Sequence, residues 1–326
     1  MQVAIIGCGL IGRKRAEAMN PQAIRVCCDV VEERARKLAS GLPSAAVSTR
    51  WQEVIDRSDV DVVMIATNHR DLPIVAAAAA AAGKHVLMEK PGARRAAELD
   101  PVVAAVARTG VQVRIGFNHR YHRALRKAHE IITSGALGPL MFIRGRYGHG
   151  GRIGYEKEWR ADPELSGGGE AIDQGLHLLD LARWFLGEFS EVQGCLGTFF
   201  WNMPVEDNAF FLLRTPQGQV AQLHATWTEW KNLFSFEIYG RDGKLDINGK
   251  GGSYGLERLV WYRMLPELGP PETTLWEFPM RDNSWEIEIE EFLEDIRQRR
   301  NPHPGLEDAQ AALRIVEQLY RLSGRI

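Results

Sequence analysis

Residues 2–19 read QVAIIGCGLIGRKRAEAM, an apolar run followed by three spaced glycines and a helix-like stretch. The glycines have separate uses in that order: Gly7 permits a tight turn, Gly9 lets a ligand approach the backbone without meeting a Cβ, and Gly12 allows the helix to pack closely on the strand. Phosphate groups then bind at the helix N-terminus, beside Leu10 and Ile11. An isolated G-x-G-x-x-G is often only a turn, but one that follows a β-rich run predicts a dinucleotide-binding unit.

The second predicted strand, residues 24–28, leads directly into Asp29. A carboxylate at this distance from the glycines is placed to bond the adenosine ribose hydroxyls. Neither Arg nor Lys directly follows Asp29, so the 2′-phosphate of NADP would face an unneutralised carboxylate. The sequence therefore favours NAD over NADP, although a strand-end Asp considered by itself is also typical of a solvated turn.

Composition agrees with a soluble enzyme but does not choose a chemistry. The chain has 326 residues, 45% hydrophobic and 25% charged, with a formal net charge of -2, which predicts two cores rather than one. The near-neutral charge without basic runs argues against a nucleic-acid partner. We also expect no membrane partner and a cytoplasmic location, because the sequence contains no signal peptide and no apolar run as long as a membrane span.

The four cysteines show no spacing typical of metal ligands, so we expect no metal site and four reduced thiols. Cys27 and Cys28 are adjacent in a predicted strand, where successive side chains point to opposite faces. Cys8 and Cys195 complete the set.

Alternating strands and helices predict a doubly wound, Rossmann-type parallel sheet over residues 1–118. The predicted strands are 2–6, 24–28, 46–48, 61–66, 85–88 and 111–117, and the predicted helices between them are 13–19, 32–42, 51–56, 74–82 and 94–108. Right-handed crossovers place the C-terminal ends of all six strands along one edge of the sheet, where the cofactor binds.

The pattern changes over residues 119–326, where strands follow one another and predict an α+β domain with a large, mainly antiparallel sheet. The predicted strands are 140–147, 192–200, 208–214, 220–229, 235–239, 244–247 and 258–262, with helices at 122–134, 171–185, 285–299 and 306–322. One open sheet face remains to be buried, so we expect a homodimer or homotetramer through this sheet. We also allow for the C-terminal helices to pack back on the first domain.

Two further motifs carry chemistry. Glu89-Lys90-Pro91 ends the fifth strand, and Gly167-Gly168-Gly169 precedes Asp173 and His177, which would lie i, i+4 on one helix face. The set G-x-G-x-x-G, E-K-P, and G-G-G followed by D-x-G-x-H-x-x-D resembles the Gfo/Idh/MocA oxidoreductases, named for glucose-fructose oxidoreductase and inositol dehydrogenase. The resemblance extends over essentially the whole chain and includes GKHV at 83–86 and GFNHRY at 116–121. It implies a catalytic group of Lys90, Asp173 and His177, with Thr67, Glu89 and Asn118 at the nicotinamide end of the cofactor.

The chemistry of these side chains fits alcohol oxidation. Removing the hydroxyl proton suits His177, whose unperturbed pKa is near neutrality. Lys90 would lower the pKa of the alcohol by hydrogen bonding and remains a rival base, while Asp173 would orient the histidine or accept the substrate hydroxyl. Considered singly, a lysine is more often a solvated charge, and an i, i+4 Asp/His pair is more often a surface ion pair.

The loop after the fourth strand departs from the family pattern. Many relatives have Thr-Pro-Asn followed by a His three residues beyond the Asn, whereas residues 66–72 here read ATNHRDL. We therefore assign this loop to the cofactor only at Thr67 and Asn68.

A second loop, GHGGR at 148–152 followed by Trp159 and Arg160, is the predicted substrate loop. Arg152 and Arg160, with Arg120, would clamp a carboxylate or phosphate, and Trp159 would stack on a sugar ring. In the competing account these arginines pair with local acids, Glu156, Glu158 and Asp162, and the loop merely connects elements. The first account predicts an anionic substrate, and the second predicts a neutral sugar or polyol.

The sequence thus indicates an NAD-dependent dehydrogenase that oxidises a secondary hydroxyl of a sugar, sugar nucleotide or polyol. One alternative is the reverse direction, reduction of a ketone or imine with NADPH. Another is a regulator on the same fold that senses a nucleotide without catalysis, against which intact Lys90, Asp173 and His177 argue.

Overall fold

A computed structural model describes residues 1–326 as two compact units. The first unit contains Met1–Phe117, Glu164–Gly167 and Trp285–Leu313, and the second contains Asn118–Pro163, Gly168–Ser284 and Arg314–Ile326. None of the helices is both long and apolar enough to cross a lipid bilayer.

The strands are β1 (Val3–Ile6), β2 (Ile24–Cys28), β3 (Ala46–Ser48), β4 (Val62–Ile65), β5 (His85–Glu89), β6 (Val113–Gly116), β7 (Leu140–Gly148), β8 (Glu191–Gly197), β9 (Asn208–Arg214), β10 (Val220–Thr226), β11 (Leu233–Gly240), β12 (Gly243–Asn248), β13 (Glu257–Arg263) and β14 (Glu272–Phe278). The α-helices are α1 (Leu10–Glu17), α2 (Glu32–Ala39), α3 (Trp51–Ile55), α4 (Leu72–Ala81), α5 (Asp100–Thr109), α6 (Arg123–Thr133), α7 (Pro163–Ser166), α8 (Gly175–Leu186), α9 (Ser284–Gln298) and α10 (Leu306–Leu322).

The first unit is built on a parallel six-stranded sheet with strand order β3-β2-β1-β4-β5-β6, which confirms the doubly wound fold. β1 (VAII) and β4 (VVMI) are buried along their whole length, as expected for strands covered by helices on both faces. Because the strands are parallel, the segments that follow β1, β2, β4 and β5 emerge at the same edge of the sheet.

Helix α9 completes the core of the first unit. Its Ile289 and Phe292 are buried in one apolar cluster with Val3, Ile5 and Met64 of the central strands. A segment far along the chain therefore fills one face of the Rossmann sheet.

The second unit contains an eight-stranded sheet with strand order β14-β13-β12-β11-β7-β10-β9-β8. All its strand pairs are antiparallel except β7 and β10, which run parallel, so the prediction of a mainly antiparallel sheet is confirmed. The sequence missed β14. Helix α8 packs against β10 and β7 on one face, whereas Phe210 and Leu212 of β9 are exposed.

Candidate active site

The glycine turn between β1 and α1 has the geometry that the sequence predicts. Gly7 has a φ of +94°, and a Cβ there would overlap the carbonyl oxygen of Ala66. A Cβ on Gly12 would overlap the carbonyl oxygen of Gly7, so the helix packs closely on the turn. A Cβ on Gly9 would meet no protein atom, and no side chain caps the helix that starts at Leu10. The space at Gly9 and the uncapped helix N-terminus fit the pyrophosphate of a dinucleotide.

Asp29 is buried directly beside this turn. Its Oδ2 accepts a hydrogen bond of 2.8 Å from the backbone N–H of Cys8, and its Oδ1 accepts one of 2.9 Å from the N–H of Val31. The carboxylate is therefore fixed in position between the glycine turn and the end of β2.

The loop after β4 holds Thr67 and Asn68 by short-range contacts. The Thr67 hydroxyl donates to the carbonyl of Asn68, and the Asn68 amide donates to the Asp71 carboxylate at 2.8 Å. The next residue, His69, is buried with Nδ1 2.7 Å from the carbonyl oxygen of Ser166. His69 thus anchors the loop to residues 164–167 of the same unit, a role that the sequence did not indicate.

Glu89 and Lys90 lie at the carboxyl end of β5. Glu89 is buried, and its Oε1 accepts a hydrogen bond of 2.8 Å from Nε of Arg15, a residue of α1. The same guanidinium also contacts the carboxylate of Glu288 on α9. The strand end that carries Lys90 is therefore tied to the helix that follows the glycine turn by Arg15 and Glu288, which the sequence did not single out.

In the second unit, the glycines before Asp173 permit close packing rather than mobility. A Cβ on Gly168 would overlap the Tyr320 hydroxyl, and one on Gly169 would overlap the backbone of Glu206. The buried Glu206 carboxylate accepts hydrogen bonds from the Tyr320 hydroxyl at 2.8 Å and from the N–H groups of Gly169 and Ala171 at 3.1 Å. Burial raises the pKa of this carboxyl. These contacts fix the turn that leads to Asp173.

Asp173 does not share a helix with His177, contrary to the sequence-based expectation. Helix α8 begins only at Gly175, and Asp173 lies in the preceding turn, where its N–H donates to the carbonyl of Gly169. The cause is the glycine segment, whose close packing holds the chain in a turn before helical geometry begins. The Asp173 carboxylate accepts a hydrogen bond of 3.1 Å from Nε of Arg160.

His177, in the first turn of α8, is buried and stacks on the ring of His119, with centroids 3.8 Å apart and planes 12° from parallel. Nζ of Lys250 lies 2.8 Å from Nε2 of His119 and donates to the Tyr147 hydroxyl, also at 2.8 Å. An ammonium group can only donate, so Nε2 of His119 accepts this bond and the imidazole carries its proton on Nδ1. Burial raises the pKa of the Tyr147 hydroxyl, which stays protonated.

His119, Tyr147 and Lys250 were missed as site residues. His119 lies within the quoted segment GFNHRY, but no motif assigns it a role, and Lys250 lies in the glycine-rich turn after β12. Tyr254, in the same turn, lies under the Lys250 ammonium, 4.9 Å from Nζ to the ring centroid. Burial raises the pKa of Tyr254 to about 12.

Each of the three arginines predicted to bind the substrate forms an ion pair with a carboxylate. Arg120 is buried in a two-bond ion pair with Asp180, at 2.8 and 2.6 Å, so it is not a candidate for contacting an anionic substrate. Arg152 is paired with the local acid Glu158 at 2.6 Å, as the competing account holds. The third, Arg160, pairs with Asp173.

Arg160 and Trp159 are close to each other, with the guanidinium carbon 4.6 Å from the indole ring centroid. Burial lowers the pKa of Arg160, but the Asp173 carboxylate raises it, and the net effect is an increase.

Asn118 is buried at the start of the second unit, where its amide donates to the Ser284 hydroxyl at 3.1 Å. No cluster of three or more His, Cys, Asp or Glu side chains is arranged to hold a metal ion.

Comparison with known proteins gives consistent matches. The oxidoreductase family GFO/IDH/MocA, described as an NAD-binding Rossmann fold, matches residues 1–117, and the GFO/IDH/MocA C-terminal domain matches residues 125–246. Levoglucosan dehydrogenase of Pseudarthrobacter phenanthrenivorans is 27% identical over 76% of this chain and 73% of its own length. Myo-inositol 2-dehydrogenase of Thermotoga maritima is 24% identical over 96% of this chain and 93% of its own length.

Solved structures agree with this result. A levoglucosan dehydrogenase in complex with NADH and levoglucosan superposes with a TM-score of 0.88 at 25% identity, covering 100% of this chain and 97% of the other. An oxidoreductase domain protein from Kribbella flavida superposes with a TM-score of 0.87 at 24% identity, covering 99% of this chain and 97% of the other.

Proposed function

This chain belongs to the GFO/IDH/MocA family of oxidoreductases with an NAD-binding Rossmann fold, and from that premise we propose that it oxidises a secondary hydroxyl of a neutral sugar or polyol with NAD. The observation that carries the choice of a neutral substrate is the pairing of Arg120, Arg152 and Arg160 with carboxylates. Levoglucosan and inositol, the compounds in the names of two relatives, are likewise uncharged polyhydroxylated rings.

The first unit supplies the groups that would hold NAD. The backbone at Gly9, Leu10 and Ile11 would bind the pyrophosphate, and Asp29 would accept hydrogen bonds from the adenosine ribose hydroxyls. Family resemblance assigns Thr67, Glu89 and Asn118 to the nicotinamide end of the cofactor, and Asn68 is assigned to the cofactor together with Thr67 in the loop after β4. When bound, NAD supplies the two-electron acceptor for the carbon that is oxidised.

His177 is the proposed proton acceptor. Its ring stacks on the neutral His119, beside the Lys250 ammonium. The neutral imidazole is the form that removes the hydroxyl proton.

Asp173 and Lys90 complete the proposed catalytic group. Arg160 holds the Asp173 carboxylate in place, so that it can orient His177 or accept a substrate hydroxyl. Lys90 would donate to the reacting oxygen and stabilise the developing alkoxide, and it remains the alternative base. Tyr147 and Lys250 would contact the other hydroxyls of the ring.

The test is an absorbance assay of nicotinamide reduction over a panel of neutral sugars, anhydrosugars and inositols, with uronic acids and nucleotide sugars as anionic counterparts. We expect turnover with a neutral member and Arg160→Ala to lower kcat by a similar factor on neutral and anionic analogues, since Arg160 acts on Asp173. Arg152→Ala is the matched control and should change little.

A different result would support the anionic substrate. Arg160→Ala would then raise KM selectively for the anionic compound, by roughly 1.5 to 3 kcal/mol as expected for a lost charged hydrogen bond. No reduction of NAD with any neutral compound, together with turnover of an anionic one, would refute the proposed substrate class.

A further inference from the structure

A buried charge cluster in the first unit lies between α1, β5 and α9. The Arg15 guanidinium contacts Glu89 through Nε and Nη2, at 2.8 and 2.6 Å from Oε1, and contacts Glu288 through Nη1. The three side chains are only 1%, 9% and 0% exposed. A Cβ on Gly116, at the end of β6, would lie 2.6 Å from Nη2 of Arg15 and 3.1 Å from Oε1 of Glu89. The absence of a side chain at this position gives the cluster its space.

The cluster has one more carboxylate than it has cations to offset it. The Arg15 guanidinium faces the two carboxylates of Glu89 and Glu288. The nearby Arg114 pairs with Asp295 and lies 4.0 Å from Glu291, and its Nη1 donates to the backbone carbonyl of Glu288. Oε1 of Glu288 has no hydrogen-bond partner. A buried carboxylate oxygen without a donor is costly, and a proton on that oxygen removes the excess charge.

The surroundings of Glu288 agree with a bound proton. Burial raises the pKa of Glu288 to about 7, with Glu89 raising it further and Arg15 and Arg114 lowering it. On its own helix, Glu291 lies 4.0 Å from Arg114, and Asp295 is engaged by Arg114. Asp295 also pairs with Arg300 at 2.8 Å, and Lys14 of α1 lies over the ring of Trp285, 5.5 Å from Nζ to the ring centroid.

We propose that Glu288 is a positioning residue that, by gaining or losing a proton, sets how firmly Arg15 holds Glu89 and the end of β5 against the helix that follows the glycine turn. When Glu288 is protonated, Glu89 is the only carboxylate that forms an ion pair with Arg15. With Glu288 ionised, the two carboxylates share one guanidinium and repel each other. The inference rests on the proposed function, because Glu89 precedes the proposed catalytic Lys90 and the helix binds the cofactor phosphates.

The consequence is a linkage between protons and NAD binding. If NAD requires α1 and the end of β5 to be held together, the protonated protein binds it more tightly. Raising the pH from about 6 to about 8.5 should weaken NAD binding by about fivefold or more, within the usual range of coupling between sites. Glu288→Gln, which copies the protonated form, should bind NAD with nearly the same affinity at both pH values.

The thermal stability of the protein should also depend on the protonation of Glu288. Because the pKa of Glu288 is raised in the folded protein, its stabilising effect is complete below the pKa of the unfolded chain and is lost as the pH rises through about 7. The Tm of the wild type should therefore fall relative to that of Glu288→Gln by about 4 °C or more between roughly pH 5 and pH 8. Glu294→Gln, on the same helix but in an exposed ion pair with Arg297, is the matched control and should follow the wild type.

Calorimetric titration of NAD and thermal unfolding, each over this pH range, decide between the outcomes. Equal pH dependence of NAD affinity in wild type and Glu288→Gln overturns the proposal, even if the Tm curves differ, since a purely structural carboxyl would change Tm alone. If Glu288→Gln does not fold, Glu89→Gln serves instead, because removing the competing carboxylate should move the pH dependence of NAD binding to lower pH. An unchanged profile in that variant also overturns the proposal.

These measurements need no substrate, so their failure is distinct from failure of the proposed function. A pH-linked NAD affinity with no turnover of any sugar or polyol would leave the role of Glu288 intact and refute the substrate class.

Discussion

At the scale of single residues, the Asp29 carboxylate is fixed by the backbone N–H groups of Cys8 and Val31. Each oxygen can accept a further hydrogen bond, so the group can bind ribose hydroxyls without being displaced from the glycine turn. The same fixed charge cannot move away from a 2′-phosphate.

Cofactor preference follows from that fixed charge. NAD should bind more tightly than NADP by tenfold or more, about 1.4 kcal/mol, when both are titrated by calorimetry. Asp29→Asn should reduce the difference in affinity between the two cofactors, because it weakens NAD binding and removes the repulsion of the 2′-phosphate of NADP. Equal or tighter binding of NADP to the wild type would contradict the argument from Asp29.

The catalytic assignments make a second prediction at this scale. Lys90→Met and His177→Ala should retain NAD binding but lose turnover by roughly 100-fold or more, as expected when a positioned proton acceptor or donor is removed. Steady-state kinetics on the substrate found in the panel, beside calorimetry with NAD, separates the two effects. If either variant keeps wild-type turnover, the residue that it replaces is not catalytic.

Some of these residues were visible in the sequence and others were not. The glycines and Asp29 occupy fixed offsets along one βαβ unit, so local spacing reveals them. Arg120 and Asp180 are far apart in sequence, and their ion pair depends on how the second unit folds. Lys250 lies in a turn without any motif, so only the folded chain brings it to His119.

At the scale of elements, periodicity predicted all six strands of the parallel sheet, because each is a short apolar run bounded by turn residues. The predicted helix 94–108 is instead a 3₁₀ turn at Ala96–Leu99 followed by α5 at Asp100. Pro101 is suited to the first turn of a helix and not to its interior, which accounts for the break.

Two features of the larger sheet were beyond the reach of sequence patterns. β14, with the sequence ETTLWEF, is largely exposed and has no buried face to produce an apolar alternation. The parallel pairing of β7 with β10 joins strands that are separated by β8 and β9 in the chain, and strand propensity carries no information about partners.

At the scale of the whole molecule, one face of the eight-stranded sheet is the predicted interface for self-association. On β9, Ala209, Phe211 and Leu213 are buried, whereas Phe210 and Leu212 face outward and are 36% and 47% exposed. Exposed apolar side chains on a sheet are unfavourable in water and are commonly covered by a second copy.

We therefore expect a dimer or tetramer in solution. Light scattering at micromolar concentration should give a mass at least twice the 36.6 kDa of the chain. Phe210→Lys combined with Leu212→Lys should shift the population towards the monomer. A monodisperse wild-type monomer would contradict the prediction.

The placement of α9 has a consequence for synthesis on the ribosome. The strands of the parallel sheet are complete by residue 116, but Ile289 and Phe292, which fill its core, and Glu288 and Asp295, which pair with its buried arginines, come from residues 284–298. At roughly 5–20 residues per second, the intervening chain takes on the order of 8 to 33 seconds to translate. During that interval the face of the Rossmann sheet that α9 later covers is exposed to solvent, and the guanidinium of Arg114 lacks its partner Asp295.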